Sequence, residues 1–581
     1  MAKSDRKLIS GPVIAALSCL LLPGVGAAAT ESKPAAHGAE AFQPLSPLGG
    51  YLAARHAQQE RNYAAAARYM GGALEADPDN DDLVRRTFMF RISDGDVAKA
   101  LPLATRIADL DRRSGFADLV LVLQKLKAGD YQEALARTRM LPQDGVDRVL
   151  APLLAAWAQV GLGKGADALL TLADAKGPEG IPQLITFHRA LIADKTDRID
   201  EAARLYDQLT GDGARLTWRT VELAGNFYER HQRDAAARRL FERFKTDPDS
   251  AAVVDAAMKR LDSGAMAKRL IATSQDGAAE ALFDIATILN ARETMDIALI
   301  HARLALYLKP DMPIAQLLVA EIADELGHSE EALADYRAVD RTSPLYWSAR
   351  SRQAAMLDQL NRTDEAVALL RGMAAERPHD YQPMVELADI LRSHDRFKEA
   401  VVAYDDAFQR YGGNKPTDWR LYYSRGIALE RSQQWPRAEG DFSRALELEP
   451  QQPMVLNYLG YSWIDQGVHL DRALGMVERA VALSPNDGYI VDSLGWAYFR
   501  LGNYAKATEN LERAIELVPE DPTINDHLGD AYWRTGRRLE ARFQWNRALL
   551  FKPEADEASK IEGKLEHGLG RPVTAVQSKG G

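Results

Sequence analysis

The sequence predicts an all-α solenoid built from stacked helix pairs, and three observations carry that prediction. The C-terminal region repeats itself with a period of 34 residues. Each repeat puts small residues where two helices must approach closely, as Gly529 and Ala541 do in the last one. No β signal competes: alternating runs of Val, Ile and Thr are few, and no Asn-Gly hairpin joins such runs.

The last repeat, starting at Pro522, shows why the period exists. At Gly529 and Ala541 a side chain larger than a methyl would push the two helices apart, while Leu528, Tyr532, Trp545 and Leu549 fill the space between them. Gly536 ends the first helix, because glycine tolerates a left-handed backbone. Pro553 stops the second, because it has no amide donor and clashes with the preceding turn. Neither helix can bury its apolar stripe alone, so neighbouring repeats must stack.

Walking back in 34-residue steps places earlier repeats at Gly488, Pro453, Trp419, Tyr381, Trp347, Pro313 and Ala279. The 453–488 step is 35 residues because GVHLDRA carries one extra, and the 381–419 step is 38 because QRYGGNKPTDW lengthens a connection. The same frame continues through Thr217, Gln183, Val149, Gly115, Asp81 and Pro47. There the Leu-Gly pair decays, while Ala66, Ala100, Ala134, Ala168, Ala202 and Ala236 persist at the second-helix packing position. The order Leu-Gly, aromatic, turn residue, Ala, bulky residue, Ala, Pro resembles the tetratricopeptide (TPR) repeat. The expected fold is a TPR superhelical solenoid of about fourteen helix-turn-helix units. Its expected parts are degenerate units over 47–250, an irregular helical junction over 251–278, and better units over 279–568, best defined over 419–555. The tail 569–581 (the end of which reads GRPVTAVQSKGG) is expected to be disordered.

Residues 1–29 read as a secretory signal: Lys3, Arg6 and Lys7 precede the apolar run Leu8–Leu22, and the small residues up to Ala29 suit cleavage. Residues 30–46 read as a flexible tether. Cys19 is the only cysteine and offers a lipid anchor; Ser18 suits lipoprotein cleavage, whereas Ala16 and Leu17 do not and the apolar run continues past it. Cleavage near Ala29, without an anchor, is therefore the first reading. No transmembrane span is expected elsewhere. Net charge is −11 with no long basic stripe, which argues against nucleic acid as a partner.

The sequence lacks HExxH, CxxC, GxSxG and Walker A patterns, so no metal, cofactor or catalytic residue is expected. Gly161-Leu-Gly163-Lys-Gly165 falls where the frame already requires a turn. The histidines are scattered, and His527 beside Asp526 forms no dyad, because adjacent helical residues point to different faces.

What remains is a surface that binds other proteins or peptides. The candidate concave face, projected from the first helices of the C-terminal repeats, comprises Tyr423 and Ile427, then Asn457 and Tyr461, then Asp492, Trp496 and Phe499, and finally Asp526, Asp530 and Trp533. Aromatic anchors beside hydrogen-bonding groups are the composition of a binding hot spot. Trp463, Tyr498 and Tyr532 sit at the repeat's own aromatic position and are expected to pack between helices instead.

The stretch from Leu456 to Leu549, with its extra residue in GVHLDRA and its run DGYIVDSLGWAYFRLG, resembles the C-terminus of a proteobacterial family of exported TPR proteins. That family includes an outer-membrane TPR lipoprotein that binds a periplasmic carboxyl-terminal processing protease and presents cell-wall hydrolases to it. The resemblance implies a non-enzymatic scaffold in the periplasm, associated with the outer membrane. The alternative is a scaffold for outer-membrane or exopolysaccharide assembly and secretion. In either role, holding two proteins on one chain raises their effective concentration without new chemistry.

Overall fold

The computed structural model describes residues 46–111, 114–142, 144–175, 181–245, 248–291, 293–411 and 417–570. The signal segment with Cys19, the tether up to residue 45 and the tail beyond residue 570 lie outside the described residues. Among the described residues there are thirty α-helices and no strand. The chain divides into two compact units, one of residues 35–369 and one that contains residues 370–581. The irregular stretch 251–278 lies inside the first of these.

The first unit begins with six helix pairs: α1 (Pro47–Gln59) and α2 (Tyr63–Ala76), α3 (Asp81–Asp94) and α4 (Val97–Leu110), α5 (Phe116–Lys127) and α6 (Tyr131–Arg137), α7 (Asp147–Gly161) and α8 (Gly165–Ala173), α9 (Ile181–Lys195) and α10 (Ile199–Thr210), α11 (Trp218–Arg230) and α12 (Asp234–Phe244). A single helix, α13 (Pro248–Asp262), and a non-helical stretch over 263–273 follow. Pairing resumes with α14 (Ser274–Leu289) and α15 (Met295–Leu308), α16 (Pro313–Glu325) and α17 (Ser329–Arg337), α18 (Tyr346–Gln359) and α19 (Thr363–Glu376), within which the division falls. The second unit holds α20 (Gln382–Ser393) and α21 (Phe397–Arg410), α22 (Trp419–Arg431) and α23 (Trp435–Leu448), α24 (Pro453–Gln466) and α25 (Leu470–Leu483), α26 (Gly488–Arg500) and α27 (Tyr504–Leu517), α28 (Pro522–Arg534) and α29 (Arg538–Leu550), then the single helix α30 (Ala555–His567). Among the described residues the pairs number fourteen, as the period predicts.

Local chemistry sets each pair. Asn80, Asp487 and Asp521 cap first helices by accepting backbone N–H groups of the first turn. The close-packing sites are as tight as expected: a Cβ on Gly529 would lie 2.5 Å from the Trp545 ring, and one on Gly495 2.5 Å from Leu511. Between the helices of a pair one residue turns left-handed, as at Gly536 with φ +85°. That turn recurs where the sequence fingerprint has decayed, carried by Arg61 (φ +54°) and Asp197 (φ +56°) without a glycine. The Gly161–Gly165 segment is such a turn, with Gly163 at φ +73°.

The first unit departs from a simple stack. Helix α14 lies against α5, α7 and α9, and α15 against α3 and α5, so the first helices of the early pairs close on a later pair of the same chain. A continuous core of buried side chains runs from Val84 to Ile322. Gly277 seats α14 on Trp157, where an added Cβ would fall 2.2 Å from the indole. Buried polar groups fix the register. The Trp157 indole N–H donates to His188 Nδ1 at 3.1 Å; an indole can only donate, so the proton sits on Nε2 and is donated to Asp284 at 3.0 Å. Arg219 forks onto the fully buried Glu280 at 2.7 and 2.5 Å and reaches Glu222 at 2.7 Å. At the other end Tyr63 donates to Asp296 at 2.7 Å, across 233 residues of sequence.

Burial pushes the Asp335 carboxyl on α17 up to about 6, against the attraction of Arg303. A folded-state value above that of the unfolded chain means the carboxylate penalises folding above pH 6 and ceases to do so once the unfolded group also protonates, near pH 4. Asp335→Asn is therefore expected to be more stable than the parent at pH 7, with the gap closing between pH 6 and 4 in urea unfolding curves. A gap that widens on acidification would contradict this assignment.

Candidate functional site

The candidate face lies in the second unit on α22, α24, α26 and α28. Corresponding positions of successive repeats form two rows: Tyr423, Asn457, Asp492 and Asp526 in one, and Ile427, Tyr461, Trp496 and Asp530 in the other. Phe499 and Trp533 stand one turn further along their helices.

The rows differ from end to end. Near α22, Tyr423 is half-buried and meets Tyr458 edge-on at 6.0 Å. Burial pushes its hydroxyl up to about 12. Tyr461 is also half-buried and pushed up to about 12, by burial and then by the charge of Asp492. Both phenols stay protonated at neutral pH and can donate. Asn457 is half-buried, and its Oδ1 is a buried oxygen that accepts no hydrogen bond. A buried acceptor left unmade costs about 1–3 kcal/mol.

The middle of the face is an aromatic stack. Trp496 lies parallel to Phe499 at 4.8 Å and to the His527 imidazole at 4.0 Å. His527 Nδ1 pairs with Asp492 at 3.0 Å. Burial opposes a charge on this imidazole, but the Asp492 carboxylate outweighs it and the pKa is raised. The imidazole stacked on the indole fixes the plane of that ring. Asp492 is thus buried beneath the face rather than exposed on it. The pairing was hidden from the sequence because the partner of His527 is not its neighbour Asp526 but a residue 35 positions earlier, one repeat away.

The last row is covered. Lys564 of α30 bonds Asp526 at 2.7 and 2.9 Å and Asp530 at 2.9 Å. Asp530 is buried and also accepts from the Trp545 indole at 2.9 Å. Burial and the neighbouring Asp526 raise its carboxyl pKa, against Lys564. Gly568 passes directly over the Trp533 ring, and Arg538 lies 3.8 Å from the ring centre. Asp526, Asp530 and Trp533, expected on the open face, therefore hold the chain's own C-terminal helix. The face left open is Tyr423, Ile427, Asn457, Tyr461, Trp496 and Phe499. Trp463, Tyr498 and Tyr532 are buried between helices, as expected.

Among the described residues no helix is long and apolar enough to cross a membrane. The family model for the tetratricopeptide repeat matches residues 317–381, 385–453 and 423–488, and a second, described as TPR repeat, matches 495–536. The chain is similar to the TPR repeat-containing protein PA4667 of Pseudomonas aeruginosa, 28% identical over 199 residues, which is 34% of this chain and 33% of the relative. The chain thus spans about a third of the length of that curated relative. Two of the solved structures it is similar to are the following. The Cut9–Hcn1 hetero-tetramer of APC/C covers 90% of this chain and 96% of its own at 15% identity and a TM-score of 0.36. YrrB, described as a TPR protein with an unusual peptide-binding site, covers 33% of this chain and 97% of its own at 20% identity and a TM-score of 0.26.

Proposed function

We propose that this array of tetratricopeptide repeats is an exported, non-enzymatic scaffold of the cell envelope, located in the periplasm and associated with the outer membrane. It holds a segment of a partner protein on the face formed by Tyr423, Asn457, Tyr461 and Trp496. The observation that carries the reading is the stacked, part-exposed Trp496, with Tyr461 and Asn457 on the neighbouring first helix. Side chains of this kind suit an extended or helical peptide, whose backbone supplies N–H groups and whose apolar residues meet flat rings. The likeness of the 456–549 stretch to the exported adaptor family supports a finer reading, in which the partners are a processing protease and the cell-wall hydrolases presented to it.

The test is capture of the tagged, crosslinked protein from the cell envelope, with mass spectrometry of what accompanies it. Recovery of a processing protease together with murein hydrolases is the expected result. Recovery of polysaccharide-export or outer-membrane assembly subunits without a protease would replace the adaptor by an assembly scaffold. A protein found only in the cytoplasm would overturn both.

A further inference from the structure

The outer side of the last helix pair does not follow the pairs before it. On α29, Leu539, Phe543 and Leu550 are 82%, 59% and 71% exposed. Spacings of four and seven residues put them in one stripe, within roughly 40° of helix surface. One repeat earlier the same positions on α27 hold Ala505, Glu509 and Glu516; two repeats earlier, α25 has Asp471, Gly475 and Ala482. A lone exposed leucine needs no explanation, but three large apolar side chains in line do. The opposite side of α29 is already committed to the core through Ala541, Trp545 and Ala548. A helix apolar on both sides is normally covered on both.

Charge shows what kind of cover fits. From Arg534 to Lys552 the chain carries Arg534, Arg537, Arg538, Arg542, Arg547 and Lys552 against Glu540, within a protein of net charge −11. Arg537 pairs with Glu512 and Glu540. Arg534, Arg542 and Arg547 bond backbone carbonyls of Gly570, Leu565 and Pro519, and among the described residues they pair with no carboxylate. By helical position Arg542 and Arg547 border the stripe on opposite sides. An apolar stripe bordered by cations on a single exposed helix is the pattern of a helix lying in a membrane interface.

We propose that α29 docks on an anionic lipid surface, its Leu539–Phe543–Leu550 stripe entering the headgroup boundary while the arginines meet lipid phosphates. The guanidinium fork matches phosphate oxygens and keeps spare donors beyond its carbonyl bond. This docking is independent of the peptide-binding face, which lies on the first helices.

The test uses the purified full chain and co-sedimentation with vesicles of phosphatidylcholine, with and without phosphatidylglycerol. Binding to the phosphatidylglycerol vesicles that weakens with added salt is expected. The variant Phe543→Glu/Leu550→Glu restores the residues of α27 and is expected to weaken binding roughly tenfold or more while leaving the helical circular-dichroism signal unchanged. Absence of binding at low salt, or equal binding by the variant, would overturn the proposal. So would a dimer in sedimentation equilibrium that the variant dissolves, since the stripe would then belong to a second copy of the chain.

Discussion

Arg219→Met should loosen α14 from the early repeats by about 3–5 kcal/mol, because it leaves the Glu280 carboxylate buried without a counter-charge. Glu280 is fully buried and Arg219 is its forked partner, so neither can turn to water when the other is removed. Glu222, a second partner of Arg219, is partly exposed and contributes less to the loss. The measurement is amide hydrogen exchange over residues 274–308. The single variant should exchange at least about a hundredfold faster than the parent there, if those amides exchange through release of α14. The double variant Arg219→Met/Glu280→Leu should recover most of the protection, since an apolar pair of similar volume replaces a desolvated ion pair at little cost. Parent-like exchange in the single variant would show that the pair does not hold α14, and equal loss in the single and double variants would show that the unpaired charge is not the cause of the loss.

Trp496→Ala should weaken partner binding at the open face about thirtyfold, corresponding to about 2 kcal/mol for a central aromatic anchor. The indole stacks on Phe499 and on His527, so its plane is fixed before a ligand arrives and little rotamer freedom is lost on binding. Asn457→Ala should cost less, about 1 kcal/mol, because the part-exposed side chain offers a single polar contact. Titration of each variant with the captured partner reads both effects. A Trp496→Ala protein that is folded yet binds as tightly as the parent would move the binding surface elsewhere.

The fold was largely written in the period. Frame positions read from Gly529 and Ala541 lead back to Pro47, and the helices follow them, because the left-handed turn between paired helices survives even where Arg61 or Asp197 has replaced glycine. Nothing in that period announces that α14 and α15 lie against the early repeats. Glu280, Asp284 and Asp296 sit on helices whose apolar pattern alone would pack onto any neighbour, and their partners are Arg219, His188 and Tyr63 from far upstream. The candidate face was legible for the same local reason that the fold was: a first-helix position recurs in every repeat. Its buried end was not legible, because Lys564 and Gly568 lie outside the repeat and no frame relates them to Asp526 or Trp533.

Repeat arrays commonly change length in evolution by gaining or losing whole units, which neighbour-only contacts permit. The first unit of this protein has given up that freedom. Its Tyr63–Asp296, His188–Asp284 and Arg219–Glu280 pairs each tie a different early repeat to one helical hairpin of fixed length. A unit inserted between α3 and α10 would carry Tyr63 away from Asp296 while Arg219 still held Glu280. Copy number over residues 47–308 is therefore expected to be invariant among descendants of this chain, and duplications, where they arise, to fall among the repeats after residue 370.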